Sequence, residues 1–335
     1  MSTLKKPILL LGRRGHVLCD TLKVLLPELK FAEGRLPRRL DALIKDLIRD
    51  LFAQNKSSNW IICDSFEYYW LACLVKFITG KRLAFRLRGD VIAEVSGIQG
   101  ISASAKLYLT RVYFKFCCHY ADEILTVCNY LIDQLDVEHR HKAKTIPLGV
   151  DPVSQTPLFN THQAYIVTNF SFHAKVSELL VYAEALQNLA EKFDFQVQVI
   201  GDGKLRCDIE NKLNDRGKKF TRIQFKGRIS QPFKAIKTPS FFFHFTGLDA
   251  APRVILEAMA SGCVVFASKK FGIPELFEHY ASGILVETPS EFENLFSKIY
   301  NNNDGTASLS SNAQEHIQRF NRHEVVAEHW MPYLK

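Results

Sequence analysis

Short apolar runs recur along the chain, and most are followed by a stretch in which apolar residues return every three or four positions. Residues 7–11, 60–64, 82–87 and 123–127 read as buried strands in the first half. Helical spacing follows over 17–26, 66–78, 101–120 and 129–137. Residues 37–53 form an amphipathic pattern, with Leu40, Leu43, Ile44, Leu47, Ile48, Leu51 and Phe52 on one face. Such a helix ordinarily covers a sheet. The pattern restarts after residue 151. Strands are expected over 164–169, 195–200, 223–229, 241–245 and 263–267, and a helix runs from Lys175 to about Lys192. Residues 301–305 read as a loop, and a final helical region over 310–333 carries Phe320, Trp330 and Tyr333. Strand and helix alternate throughout, which predicts α/β units with parallel sheets.

The stretch 241–267 is the most informative. A continuous apolar strand leads into the loop 246–249. Pro252 then stands where a first helical turn tolerates it, and Val254, Ile255, Ala258 and Met259 follow at helical spacing up to Gly262. A helix N-terminus at the carboxyl end of a parallel strand suits a phosphate group. Asp249 precedes that terminus and Glu257 lies inside the helix. Carboxylates accept hydrogen bonds, so both suit hydroxyl-rich partners such as a sugar and a ribose; capping and solvation are the plainer alternative. The turn 12–16, with Gly12 and Gly15, also joins a strand to a helix, but it is not a dinucleotide fingerprint.

A chain of 335 residues fits two domains of ordinary size, and Asp151–Pro157 is the best linker. The composition, 47% hydrophobic and 23% charged, is that of a globular protein, with no run long enough to span a bilayer and no signal-peptide layout at the start. We therefore expect a cytoplasmic protein. Eight cysteines without CxxC spacing read as reduced core thiols, and His16, His173 and His244, near predicted loops or strand ends, have no spaced partner that makes a metal site. Residues 1–150 carry the whole net charge of +8, with 23 Lys+Arg against 15 Asp+Glu. That half suits phosphorylated substrates or peripheral contact with an anionic membrane, whereas no nucleic-acid-binding signature appears.

The run 249–286 resembles the C-terminal signature of the GT-B retaining glycosyltransferases of family 4 (glycosyl transferases group 1). The pattern is an acidic residue, seven others, a glutamate and Ala-Met-Ala-x-Gly, then a strand, Gly-Ile-Pro-Glu at 272–275 and Gly-Ile-Leu-Val at 283–286. Weaker pieces fall in the same order: Ala121-Asp122 with Thr126-Val127, the hinge 146–151, the Lys175 loop, Gly201-Asp-Gly203 and 225–227.

The resemblance implies two Rossmann-like, doubly wound domains facing across a cleft, over 1–151 and 152–315, with 316–335 crossing back to the first. It implies a nucleotide-sugar donor on the second domain and an acceptor on the first, namely a glycan or a lipid-linked intermediate. By the same resemblance Glu257 binds the ribose, Asp249 contacts the donor sugar and Lys175 neutralises the diphosphate. Asn169, Gly15, Ala250 and Ala251 meet phosphate or sugar, and Gly227 and Arg228 meet the base. Neither a metal nor another cofactor is expected. Three positions depart from the family pattern: Asp249 replaces a glutamate, Phe170 an arginine and Arg88 a histidine. Arg88, Arg86 and Arg253 are the candidates to supply the missing cation. A sugar-nucleotide-binding protein without transfer activity and a nucleotide-sugar epimerase are the alternatives.

Overall fold

The computed structural model describes residues 6–10, 21, 22, 24, 57–96, 103–151, 159–214, 220–236 and 238–334. The glycine turn at 12–16 with Gly15, most of the predicted helix 17–26, the amphipathic helix 37–53 and the linker 152–157 lie outside those residues. Contacts divide the chain into two units, one of Met1–Gly149 with Arg322–Lys335 and one of Val150–Asn321.

In the first unit, strands β1 (Lys6–Leu10), β2 (Ser57–Cys63), β3 (Arg82–Leu87), β4 (Glu123–Thr126) and β5 (Ala143–Thr145) form one parallel sheet in that order. Helix α1 (Tyr69–Thr79) joins β2 to β3, and α2 (Val91–Ser96) and α3 (Ala103–Tyr120) join β3 to β4. Both crossovers step the same way along the sheet, so right-handed connection puts them on one face. Strand β5 and helix α2 were not anticipated. Three residues are too few to show a period, and Asp90, which accepts the Ala93 amide at 2.9 Å, starts α2 within a segment of weak apolar patterning. The C-terminal segment packs on this sheet: Val326, Trp330, Tyr333 and Leu334 share a core with Trp60, Ile62 and Leu125. Tyr333 donates to Glu123 Oε2 at 2.5 Å, and Arg86 lies over the Trp330 ring.

In the second unit, β6 (Asn160–Val167), β7 (Gln196–Ile200) and β8 (Ile223–Gly227) step one way along a parallel sheet, with α4 (His173–Lys192) and α5 (Arg206–Asn214) between them. The chain then returns to the other side of β6. It lays down β9 (Ser240–His244), β10 (Val264–Ser268) and β11 (Ile284–Val286), giving the order β11-β10-β9-β6-β7-β8. Every residue of β9 and β10 is buried, as central parallel strands covered on both faces require. Phe241, Phe243, Phe266, Phe292 and Phe296 fill the core on one side.

Helix α6 (Arg253–Ala260) follows β9, and α7 (Pro289–Tyr300) and α8 (Asn303–His316) follow β11. The loop expected at 301–305 is shorter than the sequence implied. Asn302 caps α8 by accepting the Gly305 amide at 2.9 Å, so Gly305 is helical. The predicted helical region 310–333 is likewise broken at Asn321, where the chain leaves one unit for the other.

Candidate functional site

The reversal of strand order leaves a crevice at the carboxyl ends of β6 and β9, where the connections diverge. Open parallel sheets bind their ligands at such switch points. Two loops border it. The first, after β6, is turned by Asn169, whose Oδ1 accepts the Ser171 amide at 2.9 Å, and leads into α4 at His173. Lys175 therefore stands in the first turn of α4. The second loop, after β9, runs from Phe245 to Pro252 and enters α6. Gly247 ties the two together by donating its amide to the Ala174 carbonyl at 2.9 Å. A Cβ at Gly247 would lie 2.6 Å from that oxygen, so the approach needs glycine.

This tie brings Lys175 against Asp249. Lys175 Nζ forms a salt bridge to Asp249 Oδ1, and the two side chains are only 15% and 18% exposed. The second carboxylate oxygen accepts from Thr246 Oγ1 at 3.1 Å and lies 3.4 Å from His244 Nε2. Thr246 Oγ1 in turn accepts the Leu248 amide at 3.2 Å. Burial works against the charge on Asp249, but His244 and the Lys175 ammonium together outweigh it and hold the carboxyl at about 2. Asp249 is thus a fixed anion at neutral pH, aimed by two neighbours and neutralised by a third.

The other predicted site residues divide between the two units. Ala250 and Ala251 are buried on the loop between Asp249 and α6; their small side chains let the backbone run close to the sheet edge. Glu257 and Arg253 pair with each other one turn apart, Nε to Oε1 at 3.0 Å, on the partly exposed side of α6. Gly227 ends β8 with φ +71° and accepts the Gly201 amide at 2.9 Å, and Arg228 next to it is exposed. Arg88 belongs to the first unit, where its Nε lies 3.2 Å from Asp64 Oδ1. Arg86 shares the same oxygen at 3.1 Å, so both guanidiniums are held by a buried carboxylate of their own sheet.

Phe170 is fully buried, with its ring 5.9 Å from that of Phe225. The position points into the core rather than towards the crevice. It helps seat the loop after β7: the Phe170 amide donates to Asp202 O at 3.2 Å, and Gly203, at φ +152°, comes so close that a Cβ would lie 2.5 Å from Ser171 N.

Two features were missed in the sequence. His244, which the sequence gives no metal partner and no other role, aims Asp249 together with Thr246. The signal was there, a polar residue closing an otherwise apolar strand. Arg206, three residues beyond Gly203, opens α5 and lies against Gly227, where a Cβ would meet its NH1 at 3.2 Å. It brings a cation, beside Arg228, to the β7–β8 end of the sheet.

Residues 160–316 match the family model described as Glycosyl transferases group 1. The matched segment runs from β6 through α8 and includes both loops at the switch point. Among curated proteins, an uncharacterized glycosyltransferase of Methanocaldococcus jannaschii is 25% identical over 222 residues, which are 64% of this chain and 60% of the relative. The matched region is therefore less than two thirds of that relative's length. Among solved structures, HepE of Anabaena in complex with UDP-glucose aligns with a TM-score of 0.71 at 17% identity, over 97% of this chain and 98% of that one. Sucrose-phosphate synthase of Thermosynechococcus elongatus aligns with a TM-score of 0.74 at 15% identity, over 98% of each chain. The fold is GT-B.

Proposed function

We propose that the protein is a retaining glycosyltransferase that moves a hexosyl group from a nucleotide-sugar to a glycan or lipid-linked acceptor without a metal. The contact between Lys175 and Asp249 at the switch point carries this reading. A cation and a hydroxyl-accepting anion stand side by side at the start of two helices. A sugar diphosphate presents the matching pair, a phosphate and a hydroxyl, a few ångströms apart. Lys175 meets the diphosphate, and Asp249 accepts hydrogen bonds from the sugar. The loop at Ala250 and Ala251 lies against the phosphate, Glu257 takes the ribose, and Gly227 with Arg228 meets the base. Asn169 and Arg253 border the donor, and Gly15 and Arg88 act from the first unit, as the family resemblance has them.

Departure of the nucleoside diphosphate builds negative charge on its phosphates. Lys175 and the amide dipoles at the start of α6 would meet that charge as it develops, so they strengthen most in the transition state. Asp249 orients the sugar and has no need to accept a proton, which its low pKa already disfavours. The acceptor hydroxyl would attack on the face that the diphosphate leaves, passing its proton to the departing phosphate and retaining the anomeric configuration.

Transfer from a panel of UDP-, GDP- and ADP-sugars tests the proposal, with the product anomer read by NMR and the assay repeated in EDTA. Transfer should survive EDTA, and Lys175→Ala and Asp249→Ala should each reduce kcat by about 10²–10³. Transfer that survives both substitutions would end this assignment. The buried Phe170 favours a second reading, sugar-nucleotide binding without transfer, because the loop after β6 then offers the phosphates Lys175 as its cation. Donor binding with no product from any acceptor would favour that reading.

A further inference from the structure

Helix α1 exposes Trp70, Leu74, Phe77 and Ile78, spaced i, i+4, i+7 and i+8 on one face, while its opposite face is buried against the sheet. Trp70 is 46% exposed and Phe77 is 71% exposed. Helix α3 does the same with Leu109, Val112, Phe116 and Tyr120, flanked by Tyr108, and Leu109 is 64% exposed. The two stripes join. Phe77 and Tyr120 have ring centroids 6.3 Å apart, Phe116 and Tyr120 4.7 Å, and the Trp70 amide donates to Tyr113 Oη at 3.0 Å. Isolated exposed apolar residues are ordinary; a continuous aromatic and aliphatic face on two packed helices marks an interaction surface.

The charges that the two helices themselves carry have one sign, while acidic residues come from neighbouring segments, exposed Glu67 just before α1 among them. α1 and α3 together contain Lys76, Lys106, Arg111 and Lys115 and no Asp or Glu. Lys76 pairs with Asp122, and Lys115 with Asp136 and Glu138, from neighbouring segments. Lys106 and Arg111 are exposed and form no ion pair among the described residues. Where the face ends at Tyr120 and Lys76, a cavity of about 510 Å³ opens, lined also by Arg82, Lys142 and Lys144 against Asp122 and Glu123. Cations outnumber carboxylates there as well.

We propose that this α1–α3 face docks the protein on an anionic membrane surface. Apolar and aromatic side chains at the acyl boundary, with Lys and Arg at headgroup level, are the two components that interfacial binding requires. A second copy of the chain fits less well. A two-fold contact would set the Lys106 and Arg111 cations of one copy against the same patch of the other. Nucleic acid fits less well again, because Leu74, Ile78, Leu109 and Val112 offer a phosphate backbone nothing. The inference rests on the first unit alone and does not depend on the donor site.

The test is co-sedimentation of the full chain with vesicles of phosphatidylcholine alone and of phosphatidylcholine with phosphatidylglycerol at about 7:3, following tryptophan emission. Trp60 and Trp330 are buried, so a blue shift reports Trp70. The protein should partition onto the anionic vesicles, with a blue shift lost in Trp70→Phe, and release with added salt. Phe77→Ser with Leu109→Ser, and separately Lys106→Glu with Arg111→Glu, should weaken partitioning about tenfold or more while leaving helical circular dichroism and the melting temperature in place. Absence of partitioning by the wild-type chain, or partitioning indifferent to both pairs, overturns the proposal. So does a dimer in light scattering that Phe77→Ser with Leu109→Ser dissolves, which would assign the face to a second copy.

Discussion

Asp249 shows how three neighbours set one side chain's chemistry. It stands among His244, Thr246 and Lys175, and its carboxyl titrates at about 2 despite its burial. Because the folded value lies below the ordinary carboxylate value near ~3.9, its contribution to stability is fully present above that value and is lost as pH falls towards 2. The pH–rate profile should therefore show no acid limb from Asp249 above about pH 3. Substituting His244→Ala removes one of the groups that depress the value, so an acid limb should move upward towards the ordinary carboxylate range, with activity reduced at neutral pH. An unmoved acid limb would show that His244 has no part in setting Asp249. A motif of fixed spacing singles out Asp249 and Glu257 in the sequence and a weaker piece in family order singles out Lys175; the structure brings Lys175 to Asp249, while Glu257 pairs with Arg253. His244 was passed over although its partner Asp249 follows on the next loop, whereas Arg206 left no signal because Gly227 comes from another strand end.

At the level of elements, the site depends on two loops being held together. The Gly247 amide on the Ala174 carbonyl makes that join, and it leaves no room for a methyl group. Gly247→Ala should destabilise the second unit by about 1–3 kcal/mol and also raise the donor KM, because the loop must shift away from Lys175. Thermal melts together with steady-state kinetics check this; a lower melting temperature with an unchanged KM would show that the join is structural only. The central strands β9 and β10 were plain in the sequence, since continuous apolar runs are what two-sided burial demands. The start of α8 was hidden because Asn301 to Gly305 has the composition of a loop. There Asn302 caps the helix, a use of asparagine that composition does not distinguish from a turn.

On the scale of the whole molecule, the chain completes its first unit with its last residues. Trp330 and Tyr333 cover Trp60 and reach Arg86 and Glu123, more than two hundred residues earlier in the chain. Their apolar character could be read in the sequence, but contacts at that separation leave no local pattern. Trp330→Ala should cost the first unit about 3–5 kcal/mol, visible as lost amide protection in β2, β3 and β4 with protection in β9 and β10 retained. Uniform loss across both sheets would contradict an independent second core.

The central claim is that a donor's diphosphate lies on Lys175 with its sugar against Asp249. Calorimetric titration of the nucleotide-sugar panel into the wild-type chain and Lys175→Ala tests it most directly. The account predicts that one donor binds the wild type and that Lys175→Ala weakens it about 10- to 100-fold, as loss of a charged hydrogen bond does. Equal affinity for both proteins would contradict it.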